Sequence, residues 1–199
     1  SVLSQAIITD QNRQLLYLGI IAPITFWITT LICAPMIDGY NHLSWMVSEL
    51  GALGTKSQYI FTIGLVLSSA FNIVFVVGLW RFCKKKNLNK VPLFFFLMYS
   101  FLAGPGLYPM PLPEHGYVGL PMLLIIFAPL VTLLFWYKRR DVIKINTLVI
   151  ICTVLFGLGF LVYFPDILSD YFGLKQRFLY TAWTIWSIGI SYKSSLKNK

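Results

Sequence analysis

The side chains best suited to chemistry fall into three short stretches of this 199-residue sequence. Asp38, His42, Ser48 and Glu49 stand in the first, Tyr108, Glu114 and His115 in the second, and Asp166 and Asp170 in the third. Imidazole and carboxylate are zinc ligands, and three protein groups plus a water make a catalytic zinc site. His42 and His115 with Glu49, or with Asp38 or Asp166 in its place, would supply that set. The metal-bound water would then be the nucleophile and a carboxylate its base. No H-x-x-x-H or H-E-x-x-H spacing reinforces the set, and the same groups equally suit hydrogen bonding to loop backbone. Ser48 beside a histidine would make a hydrolase nucleophile, although no G-x-S-x-G turn surrounds it. Glu49, His115 and Ser48 are therefore the expected catalytic groups. Asp38, His42, Glu114, Asp166 and Tyr108 are the expected ligand-binding groups, and a divalent metal such as zinc is the cofactor this chemistry would use.

What positions these residues is a set of apolar helices. Hydrophobic residues make up 57% of the chain and charged residues only 12%, about half the share usual in soluble domains, and the mean hydropathy is +0.73. Charge so sparse does not cover a soluble globule of this size, and lipid is the solvent that removes the need. Six segments approach the roughly 20 apolar residues that a spanning helix needs: Leu15–Met36, Tyr59–Phe82, Val91–Pro109, Tyr117–Tyr137, Ile145–Phe164 and Gln176–Tyr192. The reading is an all-α polytopic membrane protein, one transmembrane domain over residues 1–199. The first segment is too long for a signal-peptide core and is expected to be retained. Cys33, Cys83 and Cys152 lie in or beside these segments with no C-x-x-C spacing, so they read as buried apolar residues.

Lysine and arginine give the orientation. Arg13, Arg81, Lys84, Lys85, Lys86, Lys90, Lys138, Arg139, Arg140, Lys144, Lys193, Lys197 and Lys199 fall on one side, and only Lys56, Lys175 and Arg177 on the other. Both termini are thus expected in the cytoplasm, and a prokaryotic plasma membrane is the expected location. The net charge of +9 follows this sidedness, so membrane lipids are the expected partners and nucleic acid is not. The acids show the reverse bias: Asp10 and Asp141 are expected inside, while the other five acids and both histidines gather outside.

Three finer features stand out. Leu43, Met46, Val47, Leu50 and Leu53 recur at helical spacing in the first outer connection, which predicts a short amphipathic helix over residues 42–53 that puts His42 and Glu49 on one face. Gly104-Pro105-Gly106 predicts a kink or early unwinding near the end of the third segment. Gly64 with Ser68, and Thr181, Thr184 and Ser187, read as close helix packing.

The run His42–Thr55, containing Ser48-Glu49-Leu50-Gly51-Ala52, resembles the signature of the family catalogued as domain of unknown function 998. Gly106-Leu107-Tyr108-Pro109 followed by His115 is similar to a second element of that family. The resemblance implies six membrane helices and a site at the outer face, with Glu114 poorly matched because the spacer after Pro109 is short and proline-rich. A looser likeness to the FRAG/DRAM/Sfk-type membrane proteins points toward lipid handling. The expected function is binding or modification of a lipid or other amphiphile in an outer polar pocket; as an enzyme the protein would be a lipid-directed hydrolase or transferase. A structural or assembly role and small-solute transport are the alternatives.

Overall fold

In the computed structural model, which describes residues 2–197 with side-chain detail from Gln11 onward, helix is the only regular secondary structure. Lys199 lies outside the described residues, and Asp10 is described in its backbone only. The described chain forms six rods. They are α1 (Val2–Cys33, continued by a 3-10 turn at Ala34–Met36), α2 (Gln58–Lys86), α3 (Pro92–Leu107), α4 (Glu114–Arg139), α5 (Asn146–Tyr163) and α6 (Phe172–Leu196). Their bounds fall within a few residues of the expected ones except at the N-terminal end of α1, which begins well before its apolar stretch. Among the described residues, four spans are long and apolar enough to cross a membrane: Gln11–Met36, Gln58–Lys86, Glu114–Arg139 and Asn146–Tyr163. α3 is apolar but shorter, and α6 is long but polar along one face. Side chains such as Leu31, Leu134 and Ile150 are more than 60% exposed on these helices, and apolar surface of that extent is covered by lipid in a multi-pass membrane protein.

Small residues let the first two helices meet. A Cβ on Gly64 would sit 2.1 Å from Thr29 Oγ1, and Ser68 Oγ donates to the Ala22 carbonyl at 2.7 Å. The polar face of α6 turns inward onto α1. Ser187 and Ser191 donate to the carbonyls of Gly19 and Leu16, both at 2.6 Å, and Trp27 Nε1 donates to Thr184 Oγ1. Hydroxyls spent on neighbouring backbone hide their polarity from lipid, so the packing role expected for these stripes is what they perform.

α3 breaks one turn before the glycine–proline run. A 3-10 stretch at Tyr99–Leu102 interrupts it, and Ala103–Leu107 resumes as a helix. Asn72 Nδ2 donates to the Phe96 carbonyl and to Ser100 Oγ, and Thr62 Oγ1 donates to the Gly106 carbonyl. Irregular backbone at membrane depth persists where protein groups satisfy it, and α2 supplies those groups. Tyr99 stacks on Trp183 with centroids 4.9 Å apart, which ties the break to α6.

The connections pair at opposite ends. At one end Leu53 N–H bonds the Met110 carbonyl, Leu174 N–H bonds the Leu43 carbonyl, and Val47 N–H bonds Gln176 Oε1. At the other, Trp136 Nε1 donates to the Asn89 carbonyl and Arg139 Nη1 to the Asn87 carbonyl. Lys84–Lys86 and His115 therefore occupy opposite ends: a basic end and a loop-rich end.

The expected amphipathic helix over residues 42–53 does not form. Residues 42–45 make turns, and only Val47–Gly51 winds, as 3-10. Glu49 accepts the Met46 N–H and caps this short turn, while Asn41 Oδ1 accepts the Leu43 N–H. These local bonds compete with helix. Val47 and Leu50 are fully buried while Leu43 and Leu53 are half exposed, so the segment is tucked into the bundle by residues three apart, one 3-10 turn.

Candidate functional site

A cavity of about 350 Å³ opens at the loop-rich end between α3, α4, α5, α6 and the Val47–Gly51 turn. Its walls are apolar and soft, with Met46, Met110, Met122 and Leu179 prominent, and five polar side chains line it: Ser48, His115, Tyr163, Gln176 and Tyr180. Thioether walls adapt to irregular apolar shapes, and a few polar groups on an apolar lining fix the orientation of a ligand.

Each polar group is held by its neighbours. His115 opens α4, and its Nδ1 meets the Tyr108 carbonyl at 2.8 Å. A carbonyl only accepts, so this nitrogen carries the proton and Nε2 is the acceptor in the neutral ring. Gln176 gives its Oε1 to the Val47 N–H, which leaves its amide donors. Tyr180 is 7% exposed and lines the cavity. A phenol hydroxyl both donates and accepts, so it suits a polar atom placed in the cavity.

Of the expected catalytic groups, the structure brings Ser48 and His115 to one cavity. It does not join them: Ser48 Oγ donates weakly to Met110 Sδ at 3.4 Å, and His115 is bound to Tyr108. Glu49 is turned to its own backbone cap. His42 and Glu49 do not share a helical face, because the helix that would align them is absent; His42 Nδ1 instead accepts from Arg177 Nη2 at 3.0 Å. Asp38, Glu114 and Asp166 are exposed and contribute no side-chain hydrogen bond among the described residues, and Tyr108 contributes its carbonyl rather than its phenol. No three of His, Cys, Asp and Glu among the described residues are grouped so as to hold a metal ion. The set of His42, His115 and Glu49 is scattered because each member already answers to a different local partner.

The sequence reading missed the two cations that build the rim. Arg177 Nη1 donates to the carbonyls of Trp45 and Gly173 and Nη2 to Tyr40 Oη at 2.7 Å, so one guanidinium clamps the 40–46 loop onto α6. Lys175 is fully buried, donates to the carbonyls of Phe164 and Ile167, and lies 4.1 Å from the Phe172 ring centre. It holds the 164–171 loop as Arg177 holds the first. The signal was present as Lys175-Gln176-Arg177, a polar run in the first turns of α6, but Lys175 and Arg177 were read only as markers of sidedness.

No curated protein and no solved structure matches the chain, and the FRAG/DRAM/Sfk-type likeness gains nothing from either comparison. The model of the family described as a protein of unknown function, DUF998, matches residues 20–192. That stretch takes in the cavity, both cation-held loops and four of the six rods in full, with most of α1 and α6. The chain belongs to the DUF998 family.

Proposed function

We propose that this membrane protein binds a lipid-like amphiphile in the cavity at its loop-rich end. The observation that carries the reading is the lining, in which methionine and leucine surround His115, Gln176 and Tyr180. Such a wall favours an acyl or isoprenoid portion, and the polar trio favours a hydroxyl, ester or phosphate head. Binding is better supported than acyl transfer, because Ser48 is bonded to a sulfur rather than to a base. A photoreactive lysophospholipid tests this with the full chain in detergent. Labelling should concentrate on Met110 and Met122 and be suppressed in Leu123→Trp, which fills the cavity. Tyr180→Phe should weaken binding by about 3- to 10-fold, the loss of one hydrogen bond. Labelling spread evenly over the lipid-facing helices, and unchanged in Leu123→Trp, would refute the proposal.

All six rods are proposed to cross, in a prokaryotic plasma membrane, with both termini and the basic end in the cytoplasm and the cavity opening toward the outer leaflet. The thirteen-to-three partition of basic residues supports this orientation. In intact cells a membrane-impermeant maleimide should label Tyr117→Cys, 75% exposed beside His115, and should label Lys86→Cys only after permeabilisation. The reverse pattern would invert the topology.

A further inference from the structure

A second groove lies on the lipid-facing side at the basic end, far from the cavity. We propose that this groove, between α2 and α3, binds one anionic phospholipid of the leaflet on that side, with its phosphate held between Lys84 and Lys90 beside Trp80. The groove encloses about 410 Å³, of the order of one fatty acyl chain, between Ile73, Val77 and Trp80 of α2 and Leu93, Phe94 and Leu97 of α3, with Lys90 at its mouth. Ile73, Val77 and Trp80 follow at helical spacing, so they form a strip about 10 Å long running along the helix axis. That direction is the one an acyl chain takes in a bilayer.

The mouth is built from two elements. Lys84 belongs to the last turn of α2. Lys90 comes from the linker, beyond the left-handed turn at Asn87. Their ammonium groups lie 5.7 and 5.4 Å from the centre of the same indole ring. Lys90 is not on a loose loop, because Asn89 accepts the Val91 N–H with its side chain and the Trp136 indole N–H with its carbonyl. Among the described residues the ion pair at this end joins Arg139 to Asp141, and neither Lys84 nor Lys90 has a carboxylate partner. Two cations fixed about one aromatic ring, with no acid between them, favour an anion. An indole at such a depth is the usual companion of a headgroup.

Charge and shape choose the occupant together. Free phosphate would satisfy the lysines and leave the apolar walls to other molecules. A zwitterionic lipid would fill the walls but bring its own ammonium toward two others. A phospholipid of net negative charge meets both requirements, and basic residues at a membrane surface each add several-fold to such binding.

The purified full chain in detergent is titrated with dioleoylphosphatidylglycerol and with dioleoylphosphatidylcholine, and bound lipid is counted by native mass spectrometry. Phosphatidylglycerol should bind roughly 10-fold more tightly than phosphatidylcholine. The preference should disappear in Lys84→Gln/Lys90→Gln. It should persist in Lys144→Gln/Lys197→Gln, which removes equal charge from exposed positions away from the groove. All four side chains are exposed, so both double variants are expected to fold, and raised salt should weaken the preference of the parent protein independently of any substitution. Equal binding of the two lipids would overturn the proposal. So would an equal loss in both double variants, which would mark diffuse charge, or full competition by millimolar inorganic phosphate, which would mark a site for the free ion.

Discussion

Replacing Gly64 with leucine will destabilise the purified protein by about 3 kcal/mol, the upper part of the range for overpacked cores, and will lower its thermal midpoint accordingly. A Cβ at this position would fall 2.1 Å from Thr29 Oγ1, 2.3 Å from its Cγ2 and 2.7 Å from its Cβ. The last atom is fixed to the backbone of α1, so no rotamer change relieves the collision. Thr29 is further pinned by its hydroxyl, which donates to the Thr25 carbonyl at 2.7 Å. The helices must part, and parting them also lengthens the bond from Ser68 to the Ala22 carbonyl one turn away. Ala70→Leu, on the exposed side of the same helix, adds the same side chain toward lipid and should change stability by less than about 0.5 kcal/mol. Equal midpoints for the two variants would show that α1 and α2 are not packed through Gly64.

Arg177→Ala will release the 40–46 loop from α6, at a stability loss of roughly 2–4 kcal/mol for several charge-assisted bonds that are partly open to solvent. The guanidinium donates to Trp45, Gly173, Tyr40 and His42 at once. Arg177→Lys should recover only part of the loss, since a single ammonium does not reproduce the fork. Hydrogen exchange reads this directly: the amide of Trp45, bonded to the Asn41 carbonyl, should lose protection in Arg177→Ala while the amides of α2 keep theirs. Unchanged exchange at Trp45 would remove the clamp from the account. Acid should act on the same loop. Partial burial and then the Arg177 charge hold His42 below the ordinary imidazole value of 6.5. As pH falls below 6.5 the released loop takes up a proton before the clamped loop does, so protection conferred by the clamp declines with acidification and is fully present above 6.5. His42→Gln should abolish that dependence.

The helices were legible because hydrocarbon demands a long apolar run wherever backbone crosses it, and a run of that kind needs no partner to be recognised. The ends of the rods were less so: Lys84–Lys86 extend α2 because a helix continues happily into water, which hydropathy does not register. Residues 42–53 were misread for a different reason. Leu43, Met46, Val47 and Leu50 at helical spacing describe which side chains face inward, and a 3-10 turn capped by Glu49 presents Val47 and Leu50 to the core just as well. The site was half visible. His115 and Ser48 stand out as polar residues at the end of an apolar bundle. Tyr180 sits among the aromatic and apolar residues of α6, and its place at the cavity follows only from what α3, α4 and α5 leave open around it. The zinc set failed because residue type says nothing about where a side chain points, and Arg177 and the Met46 amide claimed two of its three members.

The hydroxyl pairing of α6 with α1 bears on how the molecule is made. Ser187 and Ser191 rest on carbonyls 168 and 175 positions earlier in the chain, so α6, made long after α1, finds the shelter for its serines there. Until the two meet, those hydroxyls lack the carbonyls that shelter them, and this part of the fold waits on an encounter between segments far apart along the chain.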